Sequence, residues 1–146
     1  MATAILAGCG GSGHEKAQEW QTVRAGSFHF AAPRAWDVKG TKASRGRDFV
    51  QVATFPLARA YSAKLFTRVE SELATRMSQV AKQAGGVVQD HRIVTVDGER
   101  SHSYDVRAGE RTSRYTFVFR GKREFLLLCS ADAVVCDELA ASFAAG

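Results

Sequence analysis

The chain has 146 residues, of which 45% are hydrophobic, 10% aromatic and 24% charged, with a formal net charge of +5. That length fits one domain with a core of its own, and the composition excludes a disordered chain or a collagen-like fibre. The cations are 14 Arg and 6 Lys spread along the whole chain instead of gathered in one block, which reads as a solvated surface and not as a nucleic-acid footprint.

The first residues, Met1-Ala2-Thr3-Ala4-Ile5-Leu6-Ala7-Gly8-Cys9, end in Leu6-Ala7-Gly8-Cys9. This tetrapeptide resembles the bacterial lipobox, in which small residues before a cysteine allow cleavage once its thiol is acylated. The basic residue that normally precedes the apolar stretch is missing and the stretch is short, so the reading expects an upstream start. Residues 1–9 are therefore a remnant signal, with Cys9 as the palmitate-type acylation site. Residues 10–23, opening Gly10-Gly11-Ser12-Gly13, read as a flexible tether, and 24–146 as the folded domain. The three cysteines are Cys9, Cys129 and Cys136; acylation of Cys9 leaves Cys129 and Cys136 to pair as a disulfide, a bond that persists outside the cytoplasm. A zinc reading of that pair lacks a second closely spaced ligand pair.

Ser27-Phe28-His29-Phe30 alternates and predicts the first strand, and Pro33 to Trp36 turns into a short second strand over 36–39. Residues 40–47 read as a Gly/Lys/Arg loop, and Phe49 to Phe55 as a third strand ended by Pro56. The spacing of Leu65, Phe66, Val69, Leu73, Met77, Val80 and Ala84 predicts one long amphipathic helix, with Ser62 as N-cap and Gly85-Gly86 as the stop. The period then changes to two, predicting strands over 87–96, 99–107, 112–120 and 123–130 with Asp97-Gly98 and Gly121-Lys122 as hairpin turns. Taking Asp97-Gly98 as the turn sets Ile93 opposite His102 and His91 opposite Tyr104; taking Gly109-Glu110 as the next sets Tyr104 opposite Tyr115 and Asp105 opposite Arg114. The apolar run Phe125 to Cys129 expects cover on both faces of its strand. A closing helix follows, capped by Asp132, with Cys136, Leu139, Ala140 and Phe143 on one side. The expected class is α+β: an α/β/α sandwich around an antiparallel sheet, the long helix following the third strand.

This order of elements, with its aromatic first strand, Pro33-x-x-Trp36 turn, long helix, four-strand meander with Val96-Asp97-Gly98 and terminal Leu128-Cys129…Cys136…Ser142-Phe143, resembles the PsbP-like fold. That fold is shared by photosystem II extrinsic proteins, Mog-type Ran-binding proteins and, with a lipobox as here, actinobacterial LpqN-type lipoproteins. The resemblance covers about 24–146 and implies a non-enzymatic binding or assembly module. The photosystem and Ran-binding residues do not carry over, because no matching motif is present.

The residues themselves offer little catalysis. Ser101, His102, Ser103 and Asp105 are close in sequence, but strand alternation sends His102 to the face opposite the other three. No glycine-rich phosphate loop leads from a strand into a helix, and no cofactor or metal set is expected. A candidate ligand surface is His91 and His102 beside Tyr104 and Tyr115; packed, hydrogen-bonded rings are the simpler account of the same residues. Lys39, Lys42, Arg45 and Arg47 form a candidate contact for anionic surfaces, against the plainer role of a solvated loop. The expectation is a lipid-anchored protein on the extracytoplasmic face of a cell membrane. Its partners would be the membrane itself and an envelope lipid, wall polymer or envelope protein, and not nucleic acid. The alternative is a carrier of a small apolar ligand between sheet and helix, which requires a pocket of roughly 300 Å³ or more.

Overall fold

Each turn glycine and each apolar run in the second half of the chain marks an element in the backbone. The computed structural model describes residues 18–146, so the expected signal remnant with Cys9 and the expected tether up to residue 17 lie outside it. The strands before the long helix are β1 (Trp20–Ala25), β2 (Phe28–Pro33), β3 (Asp37–Lys39), β4 (Lys42–Arg45) and β5 (Asp48–Pro56). A 3₁₀ turn, Ala63–Leu65, runs into α1 (Phe66–Gln83), and the meander β6 (Val87–Val96), β7 (Glu99–Ala108), β8 (Arg111–Arg120) and β9 (Arg123–Ser130) follows. The chain closes with α2 (Ala133–Ser142) and β10 (Ala144–Ala145).

One antiparallel sheet runs β3-β4-β5-β9-β8-β7-β6, and β1-β2-β10 form a smaller one. The register is the expected one: Ile93 faces His102 and His91 faces Tyr104. On the next strand Tyr104 faces Tyr115 and Asp105 faces Arg114. Asp97 at φ 49° and Gly98 at φ 81° are both left-handed, the backbone that a two-residue type I′ turn requires. That turn locks the alternation, because a slip of one residue would invert every side chain of β6 and β7.

On one face α1 buries Leu73, Met77 and Ala81 against Tyr104, Val106 and Phe117. On the other, α2 and the small sheet pack Phe28, Phe30, Val135 and Phe143 against Val52, Phe125 and Leu127. This is an α+β sandwich whose second outer layer combines a helix with three strands. The apolar run of β9 is covered unequally: Phe125, Leu127 and Cys129 are fully buried, while Leu126 and Leu128 are only half-buried.

Asp132 caps α2, its Oδ1 accepting from the Val135 N–H at 3.0 Å. Cys129 and Cys136 are bonded, with Cα atoms 5.5 Å apart. At the end of α1, Gly86 donates to the Ala81 carbonyl at 2.8 Å. A Cβ on Gly86 would overlap the Arg107 carbonyl, so only glycine allows the helix to end against β7.

Several boundaries differ from the expectation. The tether expected through residue 23 ends earlier, since Trp20–Ala25 pairs with Phe28–Pro33 as β1. The loop expected over 40–47 is largely a hairpin: Gly40 at φ 58° turns β3 into β4, and Lys39 faces Lys42. Both strands bury one residue each, Val23 and Ala43, too few to produce an alternation signal. With these two strands added, the long helix follows the fifth strand instead of the third. Ser62 makes no side-chain cap, because the 3₁₀ turn stands between it and α1.

Candidate functional site

The first turn of α1 meets β6 and β7 in a ring cluster that buries a hydrogen-bonded pair of histidines. His91 Nε2 lies 3.0 Å from His102 Nδ1, and His102 Nε2 lies 2.8 Å from the Phe66 carbonyl oxygen. Phe66 stacks on His102 with centroids 4.1 Å apart, and Tyr104 stacks on His91 at 4.4 Å. His102 is 1% exposed, whereas His91 is half-buried and presents Nδ1 to Glu70 Oε1 at 3.6 Å. The hairpin turn places the two histidines diagonally on one sheet face, and α1 supplies Phe66 and Glu70 one helical turn apart. Tyr115 does not join the histidines: it lies on β8, one strand toward the middle of the sheet, at the margin of the α1 cluster.

Tyr104 is the exception to the pairing in this cluster. Its hydroxyl is buried with no hydrogen-bond partner among the described residues. Burial pushes the phenol above its usual range, and the Glu70 carboxylate adds to the shift. The folded chain therefore resists ionising Tyr104, and the stability this gives is complete below about pH 10 and lost as pH rises beyond it. Tyr104→Phe removes an unsatisfied hydroxyl while keeping the ring stack. We expect it to leave stability at pH 7 unchanged or raised by up to about 1 kcal/mol. Between about pH 9 and pH 11 it should lose less stability than the wild type, as urea denaturation at each pH would measure.

On the opposite face, Ser103 Oγ pairs with Thr116 Oγ1 at 2.8 Å, and Asp105 binds Arg114 Nε at 3.1 Å and Arg92 Nη2 at 3.0 Å. Ser103 and Asp105 are thus committed to cross-strand ties away from His102, and Ser101 is buried. Among the described residues no group of three or more His, Cys, Asp or Glu is arranged to hold a metal ion.

The sequence matches no family model and no curated protein. The structure is similar to the solution structure of cyanobacterial PsbP (CyanoP) from Synechocystis sp. PCC 6803, with a TM-score of 0.63 and 17% identity, over 97% of this chain and 99% of that one. The fold is PsbP-like. Within this PsbP-like domain the basic residues lie at the β3–β4 end of the large sheet, and the histidine cluster lies toward the opposite edge, on β6 and β7. Lys39, Lys42, Arg45 and Arg47 are all exposed, Lys42 resting on the Phe49 ring at 4.6 Å.

Between α1 and the sheet of the PsbP-like domain, Tyr61, Val69, Leu73 and Phe119 line a cavity of about 150 Å³. An open depression of about 390 Å³ adjoins it over Phe55, Leu57 and Leu126. Arg76 and Glu124 border both. Glu124 is almost fully buried, its two carboxylate oxygens 3.1 and 3.0 Å from Arg76 Nη1. Sequence reading missed Glu124, Glu70 and the Phe66 carbonyl. Only the helical spacing of Phe66, Glu70 and Leu73 hints that Glu70 faces the sheet margin.

Proposed function

We propose that this chain is a lipid-anchored lipoprotein of a bacterial cell envelope, akin to the LpqN-type proteins. Its PsbP-like domain acts there as a non-catalytic binding or accessory module. The observation that carries the proposal is the Cys129–Cys136 disulfide. It fits an oxidising compartment and leaves Cys9, behind Leu6-Ala7-Gly8, as the lone thiol that acylation accounts for. The basic hairpin with Lys39, Lys42, Arg45 and Arg47 is the surface we assign to anionic envelope partners. The enclosed space under α1 is about 150 Å³, roughly half of what an apolar-ligand carrier needs, and the adjoining depression of about 390 Å³ has the volume but lies open to solvent, which supports a surface module over a carrier.

The test is fractionation of bacteria producing the full-length protein or Cys9→Ser. A diacylated cysteine holds a membrane firmly, whereas a protein without acyl chains has nothing equivalent. The wild type should sediment with membranes and gain the mass of its acyl chains, and Cys9→Ser should be released. Equal membrane retention of both forms would overturn the anchor.

A further inference from the structure

The row Phe66–His102–His91–Glu70 has an acceptor at each end, a carbonyl and a carboxylate. Between them stand two imidazoles with four nitrogens. The Phe66 oxygen can only accept, so His102 Nε2 carries hydrogen and His102 Nδ1 is left as an acceptor. His91 Nε2 must then donate to it. If His91 is neutral, its Nδ1 presents a lone pair to the Glu70 carboxylate 3.6 Å away, acceptor against acceptor. One added proton on His91 Nδ1 converts that repulsion into an ion pair and completes all three links.

We propose that these groups form a binding site for a single proton, which sets how tightly the start of α1 docks on β6 and β7. Two further features favour the proton. The Tyr104 ring stacks on His91 and offers its π face to an imidazolium. His91 is also part-exposed, which gives the proton a route from solvent. The groups facing the site from each packed element are Glu70 from α1, and His102, Tyr104 and Arg100 from β7. Arg100 lies over the Phe66 ring at 4.3 Å and opposes the added charge from farther off. Arg92, the next charge along β6, is held by Asp90 and Asp105. The row closes fully only with the added proton, so the docking of α1 depends on whether that proton is bound.

Glu70→Gln separates the proton from the packing. A glutamine amide donates to neutral His91 Nδ1, so the row closes without an added proton, and position 70 is open enough that the fold is kept. Melting midpoints of the full chain and of Glu70→Gln should be compared from about pH 5.5 to pH 8. The wild-type midpoint should exceed that of the variant at the acid end and fall relative to it by about 3 °C across the range. A difference that stays constant with pH would overturn the proposal. Imidazole nitrogen–proton correlation spectra supply a second measurement. At the acid end His91 should carry hydrogen on both nitrogens and His102 on Nε2 alone. Hydrogen on Nδ1 of His102, or a single hydrogen on His91 there, would overturn it equally.

Discussion

Replacing Phe143 with alanine is expected to destabilise the domain by about 3–5 kcal/mol, the range for truncating a fully buried aromatic. Phe143 is 1% exposed and follows the last residue of α2, where its ring meets Phe125 at 5.3 Å and Phe28 at 6.0 Å. Three elements therefore converge on one side chain: α2, the small sheet through Phe28, and the large sheet through Phe125. Alanine leaves a void lined by two rings that the rigid sheets cannot close. Ser142 Oγ also accepts from the Ala31 N–H at 2.8 Å, so a shift of the helix end to fill the void would break a tie to β2. The control is Val134→Ala on the same helix, 62% exposed, for which a change within about 0.5 kcal/mol is expected. Urea denaturation of both variants decides the matter. A cost below about 1.5 kcal/mol for Phe143→Ala would mean that the site collapses readily and that the aromatic trio is not the joint between the layers.

The parts of the fold that could be read from the residues are those where one strong physical rule acts alone. The meander was legible because period-two alternation and the Asp97-Gly98 turn leave a single register, and that register already puts His91 and His102 on one face. The long helix was legible from Leu73 and Met77, whose spacing fits a buried stripe. By contrast, β1 and β4 each bury a single side chain and owe their form to neighbours, β2 and β5, that are distant in kind from any local signal. The two-residue β10 exists only because α2 delivers Ala144 and Ala145 beside His29 and Phe28.

The candidate site divides the same way. Its histidines come from adjacent strands, whose pairing sequence can fix. Glu70 and the Phe66 carbonyl come from a helix whose rotation over the sheet depends on packing between residues far apart in the chain, 36 positions for Phe66 and His102. Glu124 was hidden for a different reason. It stands beside Arg123 in a hairpin that reads as solvent-facing, and only the placement of Arg76 over the sheet explains how a carboxylate is kept almost fully buried there.

Reduction of the Cys129–Cys136 bond is expected to lower stability by about 2–3 kcal/mol, the chain-entropy value for so short a loop. The bond joins the end of β9 to the first turns of α2, across a separation of seven positions. It compensates for a helix whose buried apolar anchors are few, chiefly Val135, Leu139 and, beyond its end, Phe143. Reduced thiols keep the sulfur volume in the core, so reduction isolates the link itself. The double variant Cys129→Ala and Cys136→Ala removes both the link and the sulfurs. Since the two cysteines are 1% and 5% exposed, the variant should cost more than reduction, by the cavity it leaves. Reduction and Phe143→Ala both act on the docking of α2, so their effects should not add. With the bond reduced, α2 opens more readily on its own, and part of the Phe143 contact is already lost before the ring is removed. Thermal and urea unfolding of the four forms, oxidised and reduced, with and without Phe143→Ala, measures that coupling. Full additivity would show that α2 stays docked without the bond, and that the disulfide acts only on the unfolded chain.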